Sequence, residues 1–209
     1  MRSVCVLVLS VLAISALADD ASAQRRNRNQ DFNDERFGNS FFLEPYGGAI
    51  RDSYDSSPED NIGYLVGARA GLALGSRFQL LANLGYSITR NVSDPGELAN
   101  YYTYDNVWVV TTGGAEFNVI PGRTSAAIGL QGGVAWRRLD LKETVGTPAQ
   151  APERTDTFEA YEVLIPSLTA RHRVSARASI AAGLYDHIFN ALDGTALHSP
   201  ALTLGVMFR

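Results

Sequence analysis

An all-β fold, an eight-stranded antiparallel up-and-down transmembrane β-barrel, is predicted by three features of the 209-residue sequence. Eight segments alternate between apolar residues and small or polar ones, the period of two that marks a β-strand with two different faces. The connections between them alternate long and short, as they do when strands run up and down in order. Lysine occurs once, at Lys142, whereas soluble sheet proteins coat their outer faces and edges with charge.

Residues 1–23 read as a signal peptide. Arg2 supplies a positive start, and "VCVLVLSVLAISALA" is an apolar run that is short for a membrane span of about 20 residues. Ala21-Ser22-Ala23 then offers small residues at a cleavage site before Gln24; cleavage after Ala18 is an alternative. The only cysteine, Cys5, falls in this segment. The exported chain is therefore expected to carry no disulfide, thiol nucleophile or thiolate ligand. Residues 24–40 are polar and aperiodic and read as a flexible leader, leaving 41–209 for the barrel.

Strands are expected at about 41–51, 61–75, 77–90, 104–118, 123–139, 158–172, 174–189 and 198–208. In the second, Ile62, Tyr64, Val66, Ala68, Ala70 and Leu72 oppose Gly63, Leu65, Gly67, Arg69 and Gly71. In the third, "SRFQLLANLGYSITR", Phe78, Leu80, Ala82, Leu84, Tyr86 and Ile88 oppose Gln79, Asn83, Gly85 and Ser87. The fourth sets Val107, Val109 and Phe117 against Trp108, Thr112 and Glu116, and the fifth sets Ile128, Leu130, Val134 and Trp136 against Gln131, Ala135 and Arg137. In the seventh, Ile180 and Leu184 oppose Arg177, Ser179 and Tyr185. The eighth ends with Leu202, Leu204, Val206 and Phe208 on one face. The first and sixth alternate less cleanly, and Pro45 and Pro166 suggest a bulge or distortion there. Tight turns are expected at "LGSR", "NVIPGR" and "RHRV", and long polar loops at "DSYDSSPED", "NVSDPGELANYYT", "KETVGTPAQAPERTDT" and "NALDGTALH". Both termini then fall at the turn-bearing rim.

Such a sheet suits either a soluble lipocalin-like carrier, apolar face inward, or a membrane barrel, apolar face outward. The less apolar face favours the second. It consists mainly of Gly, Ala, Ser and Thr with isolated charges, which fits the crowded lumen of an eight-stranded barrel. The aromatics agree. Phe41, Phe78, Phe117 and Phe208 fall toward the turn-bearing rim, while Tyr64, Tyr86 and Trp136, with Phe158 near them, fall toward the loop-bearing rim. Two aromatic girdles flanking an aliphatic band match the two interfaces of a bilayer.

The signal peptide, eight strands, alternating connections and closing "ALTLGVMFR" resemble the small outer-membrane β-barrels of Gram-negative bacteria, the OmpA/OmpX-like group. The resemblance implies an outer-membrane location, lipid and lipopolysaccharide as surroundings, and a terminal aromatic read by the barrel-assembly machinery. Here Arg209 follows that aromatic, a departure from the family pattern. The expected role is structural or surface-interactive and non-enzymatic, in a monomer without cofactor or metal.

If the polar face is luminal, Glu44, Arg69, Glu116, Arg137 and Arg177 form a luminal charge network, with Asn83, Gln131 and Tyr185 among them. Buried charges must pair or keep water, so the expected result is a plugged lumen. A narrow porin-like, ion-selective channel is the alternative. His172, His187 and His198 are the only histidines. His198 beside Ser199 raises a lipid A-modifying barrel enzyme, but adjacent strand residues point to opposite faces and no G-x-S-x-G is present. No metal-ligand spacing appears. The acids Asp52, Asp55, Glu59 and Asp60 read as solvated loop residues, and Tyr101, Tyr102 and Tyr104 as an interfacial belt. A net charge of −4 argues against a nucleic-acid partner.

Overall fold

Eight strands pair in sequence order in the computed structural model, which describes residues 40–52, 62–93, 101–145, 159–190 and 196–209. They are β1 (Ser40–Arg51), β2 (Ile62–Leu74), β3 (Phe78–Ser93), β4 (Tyr101–Ile120), β5 (Thr124–Val145), β6 (Glu159–Arg173), β7 (Ala178–Phe189) and β8 (Leu197–Phe208). All neighbours are antiparallel, and β1 closes on β8 from Leu43↔Phe208 to Ile50↔Ala201. Closure leaves no free sheet edge, the condition for backbone to sit in lipid. The barrel belongs to one compact unit, Asn39–Arg209. Residues 1–39 lie outside the described part, and with them the signal-peptide and leader readings. Phe158, Asp55, Glu59, Asp60 and the side chains of Tyr101, Tyr102 and Tyr104 also lie outside it.

Alternation fixes the faces. In β1, Phe42, Glu44 and Ile50 are buried while Phe41, Leu43 and Ala49 are exposed. In β7, Ser179, Ala181, Gly183, Tyr185, His187 and Phe189 point inward. The surface is inverted relative to a soluble protein. Leu204 is 58% exposed and Leu130 54%, whereas Arg69 is 3% exposed and Glu44 0%. The apolar face therefore looks outward and the charges look in. Replacing Leu130 by arginine should cost about 2–4 kcal/mol of folding stability in a bilayer if it sits at mid-membrane. Reversible urea unfolding in lipid vesicles measures this, and an unchanged midpoint would count against a lipid-facing Leu130.

Several boundaries differ from those read in the sequence. β5 runs to Val145 and β4 begins at Tyr101, so these strands far exceed the 9–11 residues a bilayer needs. "YYTY" is rich in β-formers, and its pairing with "LDLKETV" continues the ladder above the loop-side girdle. Pro45 and Pro166 shift no register. Instead, pairing of β1 with β8 skips from Leu43 to Tyr46, and pairing of β6 with β7 skips from Leu164 to Ser167. A proline lacks one ladder donor, so the interruption falls on one side only. The register shifts occur in the β4–β5 ladder, at Thr103/Tyr104 and Asn118/Ile120.

The β6–β7 turn also moves. "RHRV" was expected to turn, but Arg171, His172 and Arg173 continue β6, and Arg173 N–H donates to the Arg123 carbonyl at 2.8 Å. The chain reverses at 174–177, where the Ser175 hydroxyl accepts the N–H of Arg177 at 3.2 Å and of Ala178 at 3.0 Å. At the β2–β3 turn Gly75 adopts φ +71°, which side chains other than glycine rarely allow.

Candidate functional site: the barrel lumen

The inward residues form tiers along the barrel axis. Nearest the turns, Phe42, Leu81 and Met207 make a small apolar floor. Above it lies an ionic tier drawn from four strands: Glu44 on β1, Arg69 on β2, Glu116 on β4 and Arg171 on β6. Arg69 Nη2 is 2.5 Å from Glu44 Oε1, and Arg69 Nη1 is 3.8 Å from Glu116 Oε1. Arg171 Nη2 donates to Glu116 Oε2 at 2.6 Å, and Arg171 Nε donates to Glu44 Oε2 at 3.2 Å. Each guanidinium thus addresses both carboxylates. The tier is neutral, and each of its four side chains is 0–4% exposed.

Arg69 is held from two further sides. Its guanidinium carbon lies 4.8 Å from the Tyr46 ring centroid and 4.8 Å from that of Tyr185, a cation between two aromatic faces. Tyr46 Oη donates to Asn83 Oδ1 at 2.8 Å. Asn83 Nδ2 donates to Thr112 Oγ1 at 3.4 Å, and the Thr112 hydroxyl donates to Gln131 Oε1 at 2.9 Å. A hydrogen-bonded chain therefore runs from β1 to β5 beside the ionic tier. The space left among Tyr46, Arg69, Asn83, Gln131, Tyr185 and His187 is about that of one water molecule.

The next tier is apolar. Trp108 on β4 stacks on Phe189 of β7 with centroids 4.2 Å apart and planes at 15°, and Tyr161 meets Trp108 edge-on at 5.4 Å. Trp108 and Phe189, from strands three apart in the sheet, meet across the lumen with Leu65, Val110, Val163 and Ile165 around them. Toward the loop rim, Arg137 Nε donates to Asn106 Oδ1 at 2.8 Å, and Asn106 Nδ2 donates to Asp52. Asp52 is buried at this rim rather than solvated in a loop.

The residues expected in one network therefore divide. Glu44, Arg69 and Glu116 meet. Arg137 faces inward but eight residues along β5 from Gly129, the partner of Glu116, which is about 26 Å at ~3.3 Å per residue. It stands over Trp108, 5.8 Å from the ring centroid. Arg177 is a correction: it is exposed in the β6–β7 turn, because the Ser175 turn ends the strand before it. The fourth member of the ionic tier is Arg171, which the sequence reading did not single out. The stacked pair Trp108–Phe189 was missed as well.

His198 and Ser199 point to opposite faces. Ser199 is buried inside, opposite His187, while His198 is exposed outside with Nδ1 2.7 Å from Asp186 Oδ2. Among the described residues no serine shares the outer face with this histidine–carboxylate pair. The aromatics expected at lipid interfaces all point outward. Phe41, Phe78, Phe117 and Phe208 lie at the turn side, with Phe78 opposite Phe117. Tyr64, Tyr86 and Trp136 lie at the loop side, with Tyr86 and Trp136 both opposite Val109.

The closed sheet, charged interior and apolar exterior define a class: a small eight-stranded outer-membrane β-barrel. No protein-family model matches the chain, and no curated protein matches it in sequence. Among solved structures, Neisserial surface protein A (NspA) aligns at TM-score 0.53 and 15% identity, over 82% of this chain and 98% of that one. Ail, the attachment invasion locus protein of Yersinia pestis, aligns at 0.46 and 12% identity over 82% and 97% of the two chains. The outer membrane protein OprG of Pseudomonas aeruginosa aligns at 0.47 and 11% identity over 80% and 94%. At 15% identity the likeness to NspA is one of fold alone.

Proposed function

We propose that the protein is a non-enzymatic, non-conducting barrel of the bacterial outer membrane, whose role is structural or is exercised by the loops at its surface rim. Residues 1–23 direct export, the barrel-assembly machinery inserts the chain, and lipopolysaccharide surrounds the loop side. The observation that carries this reading is the pair of tiers crossing the lumen. Glu44, Arg69, Glu116 and Arg171 neutralise one another, so an entering ion would have to displace a matched partner. Trp108 and Phe189 add an apolar barrier above them. The purified protein in planar bilayers is expected to show no steady conductance. Steady openings in the wild type, altered in size or selectivity by Glu116→Ala, would establish the narrow pore instead. Fractionation should place the mature protein with the outer membrane, with Gln24 as its first residue.

A further inference from the structure

Each tight turn carries an arginine that the lumen does not use. Arg77 ends the turn before β3, Arg123 the turn before β5 and Arg177 the turn before β7, and all three are exposed. Segments 75–77, 121–123 and 174–177 contain no aspartate or glutamate. The next acids along the strands, Glu44 and Glu116, are buried and already engaged. The other rim differs: there Arg90 is bound to Asp105 at 3.0 Å. Among the described residues, positive charge at the turn rim is therefore exposed and without aspartate or glutamate in the turns that carry it.

The girdle sets the height of Arg77 and of Arg177, which precedes Ala178, the partner of Phe208. Arg77 immediately precedes Phe78, so its backbone lies about 3.3 Å beyond the aromatic residue. Interfacial aromatics mark the edge of the hydrocarbon, and an arginine one step further out reaches headgroup depth. Exposed aliphatic residues flank two of the turns, at the end of β4 and at the start of the β6–β7 turn. Val119 is 52% exposed, Ile120 60% and Val174 50%. Exposed aliphatic side chains beside exposed guanidinium groups suit acyl chains and headgroups together, and suit a water-soluble acidic partner poorly. Successive arginines stand two strands apart around the barrel, about 10 Å, so each addresses its own phosphate rather than one compact ligand. A guanidinium fork matches phosphate oxygens in a bidentate manner.

We propose that Arg77, Arg123 and Arg177 form a ring that binds the phosphate headgroups of anionic phospholipid in the leaflet at the turn-bearing rim. This rests on the outer-membrane reading above. The ring holds the barrel at a fixed depth and enriches anionic lipid around that rim.

The test uses the full-length protein refolded into phosphatidylcholine vesicles containing a minor fraction of phosphatidylglycerol, with spin-labelled probes of each lipid. Heat-modifiable gel migration of the same samples scores insertion independently. The wild type is expected to insert and to prefer phosphatidylglycerol, with the preference falling as salt rises. A surface arginine contributes about fivefold at low salt, so R77Q/R123Q/R177Q should lower the preference on the order of tenfold or more. R77K/R123K/R177K should keep most of it, and each single glutamine variant should lose part. Failure of the wild type to insert would overturn the membrane reading. Insertion of wild type and triple glutamine variant with equal lipid preference would overturn the ring alone. A preference abolished by R90Q instead would place the anionic lipid at the opposite rim, and would overturn it too.

Discussion

Replacing Arg171 by methionine is expected to destabilise the folded barrel by about 3–5 kcal/mol, the usual cost of removing one partner from a buried ion pair. Arg171 donates to Glu116 at 2.6 Å and to Glu44 at 3.2 Å. Without it, two carboxylates that are 0% and 1% exposed share only Arg69. Arg69 is close to Glu44 but stands 3.8 Å from Glu116, so Glu116 bears most of the loss. The double variant R171M/E116M leaves one matched pair, Glu44–Arg69, in an otherwise neutral tier. It should recover most of the stability, with a coupling of about 2 kcal/mol or more. Urea titrations of the four proteins in one lipid give the cycle. Zero coupling between positions 116 and 171 would show that the tier contributes no specific pairing energy.

The limits of the sequence are visible in this tier. Strand phase was legible wherever one face was clearly apolar, as in β3, where Phe78, Leu80, Leu84 and Tyr86 stand against Gln79, Asn83 and Ser87. That sufficed for order, number and orientation of strands. β6 hid its phase because both faces are apolar at mid-height: Val163 and Ile165 line the lumen while Leu164 and Leu168 face outward. The polar markers come later, at Ser167, Thr169 and Arg171, and placing the turn at "RHRV" removed the last of them. Counting back by two from Arg171 recovers the inward set. Arg177 had the right phase and the wrong side of the turn, because Ser175, not the basic residues before it, fixes the reversal.

Pairings across the lumen are of another kind. Register relates neighbouring strands, but Arg171 on β6 reaches Glu44 on β1, and Trp108 on β4 meets Phe189 on β7. Such contacts depend on barrel radius and on which side chains fill the centre, and no periodicity along one strand encodes them. Composition supplied the number of charges. The folded geometry supplied their partners and separated Arg137 from them.

Substituting valine for Gly67 should cost about 3 kcal/mol, for a reason that lies on the neighbouring strand. Gly67 pairs directly with Tyr46 on one side and Gly85 on the other. The Tyr46 ring lies over this glycine step to reach Asn83 on β3. A Cβ at position 67 would collide with Tyr46 Oη and stand 2.6 Å from Cζ and 2.5 Å from the Leu84 carbonyl oxygen. The ring must lift. It then loses its hydrogen bond to Asn83, about 1 kcal/mol, and its place against the Arg69 guanidinium, about 0.5–2 kcal/mol, while overpacking adds about 1–3 kcal/mol. The effect should depend on the tyrosine. In a Tyr46→Ala background, which is itself destabilised, adding Gly67→Val should cost much less, because two of the three closest contacts belong to the Tyr46 ring. Equal costs in the two backgrounds would mean that backbone crowding alone requires glycine at 67. A marked difference would identify Gly67 as the seat of the aromatic that clamps the ionic tier, and would tie the small residues of the inward face to the side chains they make room for.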